Sequence, residues 1–326
     1  MAQSPVTHFT LNNGLKIPSV ALGTWQSPKG QVRDAVCEAL KAGYRHIDCA
    51  WGYQNEEEVG EGIKLSGVPR EEIWITSKLF EFHHEHVRPA VEESIKKLDC
   101  GYLDLYLVHW NVALVPDVPA DGGLPRAPKK DPKTGKPQVN RELSDNPLPT
   151  WREMEKLVDE GLVKSIGISN FNIRRTRELL KQARIKPVAN QVELSFACPQ
   201  PELLGWLKKH DILPQAYSPL GSTGASQANL EVVEKIAKAH GVEGANVLIS
   251  WAVQRGSNPL PKSVTPKRIV NNLKIFQLSE EEFAEMEKAA KSQKHHKVCD
   301  QSEDFGYDIF EQNHPENNDI IQSRKD

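Results

Sequence analysis

The sequence predicts an α/β fold, a closed (β/α)8 TIM barrel, on three observations. Eight short apolar segments alternate with amphipathic helical segments along the chain. Because adjacent parallel strands need a crossover connection, this alternation indicates a parallel sheet. No GxGxxG motif follows a strand segment, and polar residues stand at the ends of most strand segments, as they do in barrel enzymes. Both points favour a barrel over an open doubly wound sheet.

The predicted elements begin with a β-hairpin, since Asn-Gly separates two short alternating segments in FTLNNGLKIPSV. The eight strand segments are SVALGT, HIDCA, IWITSKL, LDLYLVHW, VKSIGIS, PVANQVEL, LPQAYSPL and NPLPKSV. Helical spacing of apolar residues is found in QVRDAVCEALKAG, NEEEVGEGIKLS, VRPAVEESIKKL, LPTWREMEKLVDEG, NIRRTRELLKQA and PELLGWLKKH. The chain's only G-x-G, at Gly60 and Gly62, falls inside one of these helices.

Two segments interrupt the alternation. Residues 111–149 contain eight prolines, which predicts a long loop after the fourth barrel strand. The acid-rich C-terminal segment contains FGYDIF, whose aromatic side chains predict a tail packed over the barrel mouth. We therefore expect a single domain over residues 1–326, with the barrel at about 11–291 and the tail at 292–326.

Composition excludes several classes of function. The 326-residue chain has a net charge of −3, which gives no basic surface for nucleic acid or an anionic membrane. It contains no apolar run of membrane-spanning length, and MAQSPVTHFT lacks the pattern of a secretory signal. Five scattered cysteines without metal-ligand spacing predict reduced thiols, no metal site and a cytoplasmic location.

Four polar residues at or after neighbouring strand segments predict a catalytic cluster, namely Asp48, Tyr53, Lys78 and His109. A lysine ammonium favours the phenolate and is expected to lower the pKa of the tyrosine, and an aspartate keeps that lysine charged. A neutral histidine can donate a hydrogen bond to a substrate oxygen. The set suits protonation of a carbonyl oxygen while another group delivers a hydride.

Each of these residues also has an alternative interpretation. Asp48 and Lys78 could form only a structural ion pair, Tyr53 could be a surface tyrosine at a helix start, and His109 could be a structural histidine. The hypothesis of catalysis depends on all four standing at strand ends together.

The chain resembles the aldo-keto reductases, the nicotinamide-dependent barrel reductases, from about Leu11 to Lys291. The resemblance is carried by GTW, HIDCAWGYQNE, ITSKL, LDLYLVHW, GISNFN, NQVE, AYSPLGS and PKSVTPKRI, in that order. It implies a (β/α)8 barrel and a catalytic tetrad of the four residues above, with Tyr53 as the general acid.

The resemblance also implies an NADPH/NADP+ site in the same mouth. Tyr217 would stack on the nicotinamide ring, and Ser169, Asn170 and Gln191 would bind its carboxamide. Ser218, Leu220 and Ser222 would line the pyrophosphate. Lys262, Ser263 and Arg268, near a helix that opens at Pro266, would favour a 2′-phosphate, and hence NADPH, over NAD. The remaining expected cofactor contacts are Thr24, Trp25, Asp48 and Asn272.

An aromatic substrate pocket is expected above the nicotinamide. Its predicted residues are Trp25, Trp51, Phe80, His109, Trp110 and Cys299. The chain departs from the family pattern at Asn111, where proline is common, and at Leu194-Ser195-Phe196, where His-Pro is usual. These departures and the long loop concern the substrate rather than the chemistry.

The function expected from this resemblance is NADPH-dependent reduction of small, sugar-derived or aromatic aldehydes to primary alcohols by a monomer. An alternative is an NADP-dependent polyol dehydrogenase, for instance on glycerol, because one site catalyses both directions. A third possibility is a non-catalytic cofactor-sensing or structural member of the family.

Overall fold

A computed structural model of the chain describes residues 4–222, 227–312 and 314. Within these residues, eight parallel strands form one sheet, in which strands that are consecutive in the chain lie next to each other. The strands are β3 (Leu22–Gly23), β4 (His46–Asp48), β5 (Trp74–Leu79), β6 (Leu105–Val108), β7 (Ile166–Ser169), β8 (Ala189–Glu193), β9 (Leu213–Tyr217) and β10 (Asn258–Pro259). Each lies within one of the eight predicted segments.

The sheet closes on itself between its first and last strands. Gly23 forms a parallel bridge with Lys262, and its backbone N–H donates to Pro261 O over 3.1 Å. The backbone N–H of Ala21 donates to Pro259 O, also over 3.1 Å. Closure leaves no open edge between β3 and β10, so the predicted barrel is confirmed.

Helices follow the strands, as the alternation predicted. The helices are α1 (Val32–Ala42), α2 (Glu56–Ser66), α3 (Val87–Leu98), α4 (Arg141–Asp145), α5 (Leu148–Asp159), α6 (Ile173–Leu180), α7 (Pro201–Lys209), α8 (Glu231–His240), α9 (Gly244–Gln254), α10 (Pro266–Asn272), α11 (Glu280–Ser292) and α12 (Ser302–Phe305). Short 3-10 turns lie at Trp51–Tyr53, Arg70–Glu72 and Glu81–His83. No helix in the described ranges is long and apolar enough to cross a membrane.

The two glycines of α2 allow this helix to approach both of its neighbours. A Cβ on Gly62 would lie 2.4 Å from Arg33 O in α1, and one on Gly60 would lie 2.6 Å from Leu98 O at the end of α3. Any side chain at either position would therefore collide with backbone. This G-x-G serves helix packing, in agreement with its predicted place inside a helix.

The predicted hairpin is present at the N-terminal end of the barrel. Strands β1 (His8–Thr10) and β2 (Lys16–Pro18) pair antiparallel, with Phe9 opposite Ile17. The side chain of Asn12 donates to the carbonyls of Pro187 and Asp211, which precede β8 and β9. The hairpin therefore covers the end of the barrel opposite the strand C-termini.

The long loop after β6 has short internal pairings. Antiparallel bridges join Leu114 to Val139, Pro116 to Pro128 and Lys130 to Pro137, and α4 follows. The loop is attached to α3 where Arg126 donates to Glu93 over 2.5 Å. These contacts give the predicted excursion a defined structure near the barrel mouth.

The described part of the C-terminal tail packs back onto the barrel, as predicted. Tyr307, Ile309 and Phe310 are buried. Asn111 Nδ2 donates to Ile309 O over 2.8 Å, and Asn172 Nδ2 donates to Phe310 O over 3.1 Å. The tail therefore lies across the C-terminal ends of the strands; residues 315–326 fall outside the described residues.

Candidate active site

A cavity of about 680 Å³ opens at the C-terminal ends of the barrel strands. Its wall includes most of the residues that the sequence predicted for the site: Thr24, Trp25, Asp48, Tyr53, Phe80, His109, Trp110, Ser169, Asn170, Gln191, Tyr217, Ser218, Leu220, Ser222, Lys262, Arg268 and Cys299.

Lys78 lies directly behind this wall and joins three of the predicted catalytic groups. It is fully buried, and its ammonium donates to Asp48 Oδ2 over 2.8 Å, to Cys49 O over 2.7 Å and to Tyr53 Oη over 3.2 Å. All three of its protons thus have acceptors, the condition under which a buried lysine can stay charged. Asp48 accepts a second hydrogen bond, from Gln191 Nε2 over 2.8 Å.

Tyr53 reaches the cavity from the short 3-10 turn after β4. Burial raises the pKa of Tyr53 to about 12, and the Lys78 ammonium offsets only part of that rise. Lys78 lowers this pKa, as expected, but the loss of solvent outweighs the nearby charge, which the sequence did not reveal. The hydroxyl therefore carries its proton at neutral pH. Burial opposes the charge of Lys78, but Asp48 and Tyr53 raise its pKa to about 12.

His109 follows β6 and lies edge-on to Tyr53, with ring centroids 5.8 Å apart. Burial, assisted by the charge of Lys78, holds the pKa of His109 well below its ordinary value. The imidazole is therefore neutral, as the sequence analysis predicted. The backbone fixes its place, since His109 N–H donates to Leu79 O and His109 O accepts from Asn170 Nδ2.

Amide and hydroxyl groups of the cavity wall form a connected chain of hydrogen bonds. Tyr217 Oη donates to Asn170 Oδ1 over 2.9 Å, Asn170 Nδ2 donates to Ser169 Oγ over 3.2 Å, and Ser169 Oγ donates to Gln191 O over 2.8 Å. Asn170 adopts a left-handed conformation, with φ of 62°. This backbone arrangement costs energy in a non-glycine residue and is typical of functional sites.

Cationic side chains line the far end of the cavity. Lys262 and Arg268 are exposed there, and Lys262 Nζ donates to Gln26 O over 3.1 Å. Two residues predicted for this region lie off the wall. Ser263 Oγ accepts from the backbone N–H of Thr265, and Asn272 is buried in α10.

The substrate end is aromatic, with one difference from the prediction. Trp25, Phe80 and Trp110 line the cavity, and Trp25 is 41% exposed. Trp51 instead lies behind the wall, 5.4 Å from the Phe80 ring, and its Nε1 donates to Glu93. Trp51 therefore supports Phe80 rather than forming the pocket surface itself.

Four polar residues of the cavity wall, among them Gln26 and Asp300, were missed by sequence reasoning. Glu81 and Gln301 both line the cavity. Glu81 directly follows Phe80 at the end of β5, so a carboxyl placed just after a barrel strand was a usable signal. Gln301 belongs to the tail, and nothing in its local sequence distinguishes it from a solvated residue.

A sequence profile of the Aldo/keto reductase family matches residues 19–291. The chain belongs to that family. This aldo/keto reductase is 40% identical over 317 residues to the glycerol 2-dehydrogenase (NADP(+)) of Hypocrea jecorina, a match that covers 93% of this chain and 97% of the relative. It is 44% identical over 276 residues to an aldehyde reductase of Saccharomyces cerevisiae, covering 84% and 87%.

A solved structure agrees with the family assignment. The aldose reductase from Schistosoma japonicum matches this chain with a TM-score of 0.82 and 39% sequence identity. The match covers 94% of this chain and 98% of the Schistosoma chain. Among the described residues, no group of three His, Cys, Asp or Glu side chains could hold a metal ion.

Proposed function

We propose that the protein is an NADPH-dependent reductase that converts small, sugar-derived or aromatic aldehydes to primary alcohols. The observation that carries this proposal is the protonated Tyr53 hydroxyl on the cavity wall, 3.2 Å from the buried Lys78 ammonium. A proton donor and a cation are thereby placed together at one point of the cavity. The family membership and the name of the yeast relative agree with this activity.

The cavity has the chemistry that NADPH needs along its length. An aromatic ring and amide and hydroxyl groups, from Tyr217, Ser169, Asn170 and Gln191, stand beside the Tyr53 hydroxyl. These would hold the nicotinamide, which supplies the hydride when bound. Lys262 and Arg268, at the exposed end, would bind a 2′-phosphate, and Ser218, Leu220 and Ser222 would line the pyrophosphate between the two ends. Contacts from Ser263 and Asn272 remain predictions.

In the proposed reduction, each catalytic side chain has one task. Tyr53 gives its proton to the carbonyl oxygen of the substrate, and the Lys78 ammonium stabilises the phenolate that remains. Asp48 keeps Lys78 charged and fixed through their 2.8 Å ion pair. Neutral His109 orients the carbonyl by donating a hydrogen bond, and Phe80 and Trp110 supply an apolar wall for the rest of the substrate.

A second candidate, NADP-dependent oxidation of a polyol such as glycerol, is favoured by one specific observation. The Hypocrea jecorina relative, which matches nearly the whole chain, is a glycerol 2-dehydrogenase (NADP(+)). The same groups serve this direction, with the Tyr53 phenolate as the base. Because burial disfavours the phenolate, polyol oxidation is expected to be faster at alkaline pH.

The test is a turnover assay with NADPH or NADP+ at neutral and alkaline pH, on glyceraldehyde, glucuronate, xylose and glycerol. Tyr53→Phe is expected to abolish reduction and to leave NADPH binding, measured by fluorescence quenching, nearly intact. Appreciable turnover by Tyr53→Phe would remove the tyrosine from the role of acid. Cofactor binding without turnover on a broad aldehyde panel would favour a cofactor sensor.

We also propose that the protein acts as a cytoplasmic monomer. All five cysteines are free thiols, as expected in a reducing compartment. Sedimentation at the chain mass of 36.6 kDa is expected; a stable dimer would contradict the monomer.

A further inference from the structure

Three buried amide side chains lie in register on neighbouring strands of the barrel. Gln191 of β8 is the register partner of Gln215 of β9, and Gln215 is the register partner of Asn258 of β10. Gln215 and Asn258 are 0% exposed, and Gln191 is 1% exposed. The interior of a barrel of this kind is filled mainly by bulky apolar side chains, and a buried polar group is costly unless it is paired. A row of three amides in this place therefore calls for a specific role.

Hydrogen bonds join these amides into one chain. Gln191 Nε2 donates to Gln215 Oε1 over 3.4 Å, and Gln215 Nε2 donates to Asn258 Oδ1 over 2.8 Å. Asn258 Nδ2 donates to the backbone oxygen of Pro18, the last residue of β2, over 3.0 Å. At the other end, Gln191 Nε2 also donates to Asp48 Oδ1 over 2.8 Å. Because β4 and β8 are not neighbours in the sheet, this last bond crosses the barrel interior and connects the amides to the catalytic ion pair.

Both ends of this chain are oxygen atoms that can only accept, and they fix the orientation of every amide. The carbonyl of Pro18 requires the nitrogen of Asn258, so the Asn258 oxygen faces Gln215. Gln215 donates to that oxygen with its nitrogen, and its own oxygen faces Gln191. The nitrogen of Gln191 thus donates to Gln215 and to the carboxylate of Asp48. Both of its protons are engaged inside the barrel, and the Gln191 oxygen is the amide atom that remains for a group in the cavity.

We propose that Gln215 and Asn258 are positioning residues for the nicotinamide cofactor, and that they act by fixing the orientation of the Gln191 amide. The Gln191 oxygen then accepts a hydrogen bond from the amide nitrogen of the cofactor's carboxamide. A fixed amide makes this bond without first losing the freedom to rotate, so the bond contributes more to binding. This inference rests on the proposed NADPH site and adds to it two residues that lie outside the cavity wall.

The test compares NADP+ with its 3-acetylpyridine analogue, in which a methyl group replaces the carboxamide nitrogen. The quantity measured is the ratio of the two dissociation constants, by quenching of tryptophan fluorescence, for the wild type, Gln215→Met and Asn258→Leu. The wild type is expected to bind NADP+ about tenfold more tightly than the analogue, because only NADP+ can donate to Gln191. Gln215→Met keeps the length of the side chain, removes its polar atoms and is expected to lower this preference about threefold or more. Asn258→Leu is expected to lower it in the same direction, since Gln215 loses the acceptor that orients it.

The matched control is Thr76→Val, which removes a buried hydroxyl of β5 that bonds to His46 and does not belong to the chain of amides. It is expected to lower stability in urea and to leave the preference for NADP+ at the wild-type value. Equal weakening of both dinucleotides in Gln215→Met and Asn258→Leu leaves the ratio unchanged and would overturn the inference, as would a wild type without the preference. Asn258→Leu decides alone if Gln215→Met does not fold. A wild type that does not bind NADP+ would instead refute the proposed cofactor site.

Discussion

Lys78 and Asp48 show how one buried ion pair organises the site at the scale of single residues. Their 2.8 Å contact is almost free of solvent, so removing either partner would leave an unpaired buried charge. Such a loss typically costs about 3–5 kcal/mol, and variants at these two positions therefore change stability together with activity. Tyr53 lies at the edge of this cluster. Removal of only the Tyr53 hydroxyl leaves the ion pair intact. A variant at Tyr53 is therefore the better probe of proton transfer.

The exposed cation Lys262 leads to a prediction about the cofactor. Lys262→Ala is expected to weaken NADPH binding at least tenfold and NADH binding much less, because only NADPH has a 2′-phosphate for the ammonium to contact. The measurement is a fluorescence titration with both dinucleotides. Lys267→Ala is the control, since this exposed lysine of α10 lies outside the cavity wall. Equal losses of both dinucleotides in Lys262→Ala would place the 2′-phosphate elsewhere.

Helix α2 shows what an element's sequence pattern does and does not reveal. Its apolar spacing predicted the helix, and its glycines excluded a dinucleotide-binding motif because they do not follow a strand. Their actual role could not be read from the sequence. It arises from backbone atoms of α1 and α3, which approach positions 62 and 60 only in the folded barrel.

Two glycine substitutions compare a glycine at a helix contact, Gly62, with a glycine that faces open space, Gly205. Gly62→Ala is expected to destabilise the protein by more than about 1 kcal/mol, because the new Cβ would lie 2.4 Å from Arg33 O. Gly205→Ala in α7 is expected to stabilise it by about 0.5–1 kcal/mol, since its Cβ would point into open space and alanine favours the helix. Urea unfolding measures both. A loss of stability in Gly205→Ala, or none in Gly62→Ala, would contradict the packing described.

For the whole molecule, the barrel and its order of strands were predictable because they depend on features of short segments. These features are the spacing of apolar residues within each element and the polar residues at strand ends. Polar residues such as Asp48 and His109 mark strand ends in the chain as well as in the fold. Features that depend on burial by distant segments were not predictable. The raised pKa of Tyr53 results from loss of solvent, and Gln301 reaches the cavity only because the tail folds back.

Buried histidines give a prediction for the stability of the whole fold. Burial lowers the pKa of His46 and His84 to about 3 and that of His83 to about 4, from an ordinary value of 6.5. Below pH 6.5 the unfolded chain therefore binds more protons at these sites than the folded one, and stability is lost as the pH falls. Glu81, whose folded pKa is raised to about 8 from 4.5, acts in the opposite sense between those values.

His109, whose pKa burial also lowers, makes four such imidazoles, and they outweigh the three buried carboxyls whose pKa is raised, Glu56, Glu81 and Glu193. The free energy of unfolding is therefore expected to decrease between pH 6.5 and pH 4.5. Each unmatched proton contributes about 1.4 kcal/mol per pH unit. Urea unfolding at several pH values measures the slope. His8→Gln, at an exposed position, is expected to leave the slope unchanged, and His46→Gln to make it shallower. Stability that stays flat over this range would show that the buried imidazoles gain protons in the folded state.

The hydrogen bond from Asn111 to the carbonyl of Ile309 has an evolutionary consequence. A proline at position 111 has no side-chain donor, so a relative with proline there must hold its tail by other contacts. Exchange of tails between two such enzymes would then separate a tail from the residue that anchors it. Substitutions at position 111 and in the segment around Ile309 are therefore expected to be correlated among relatives.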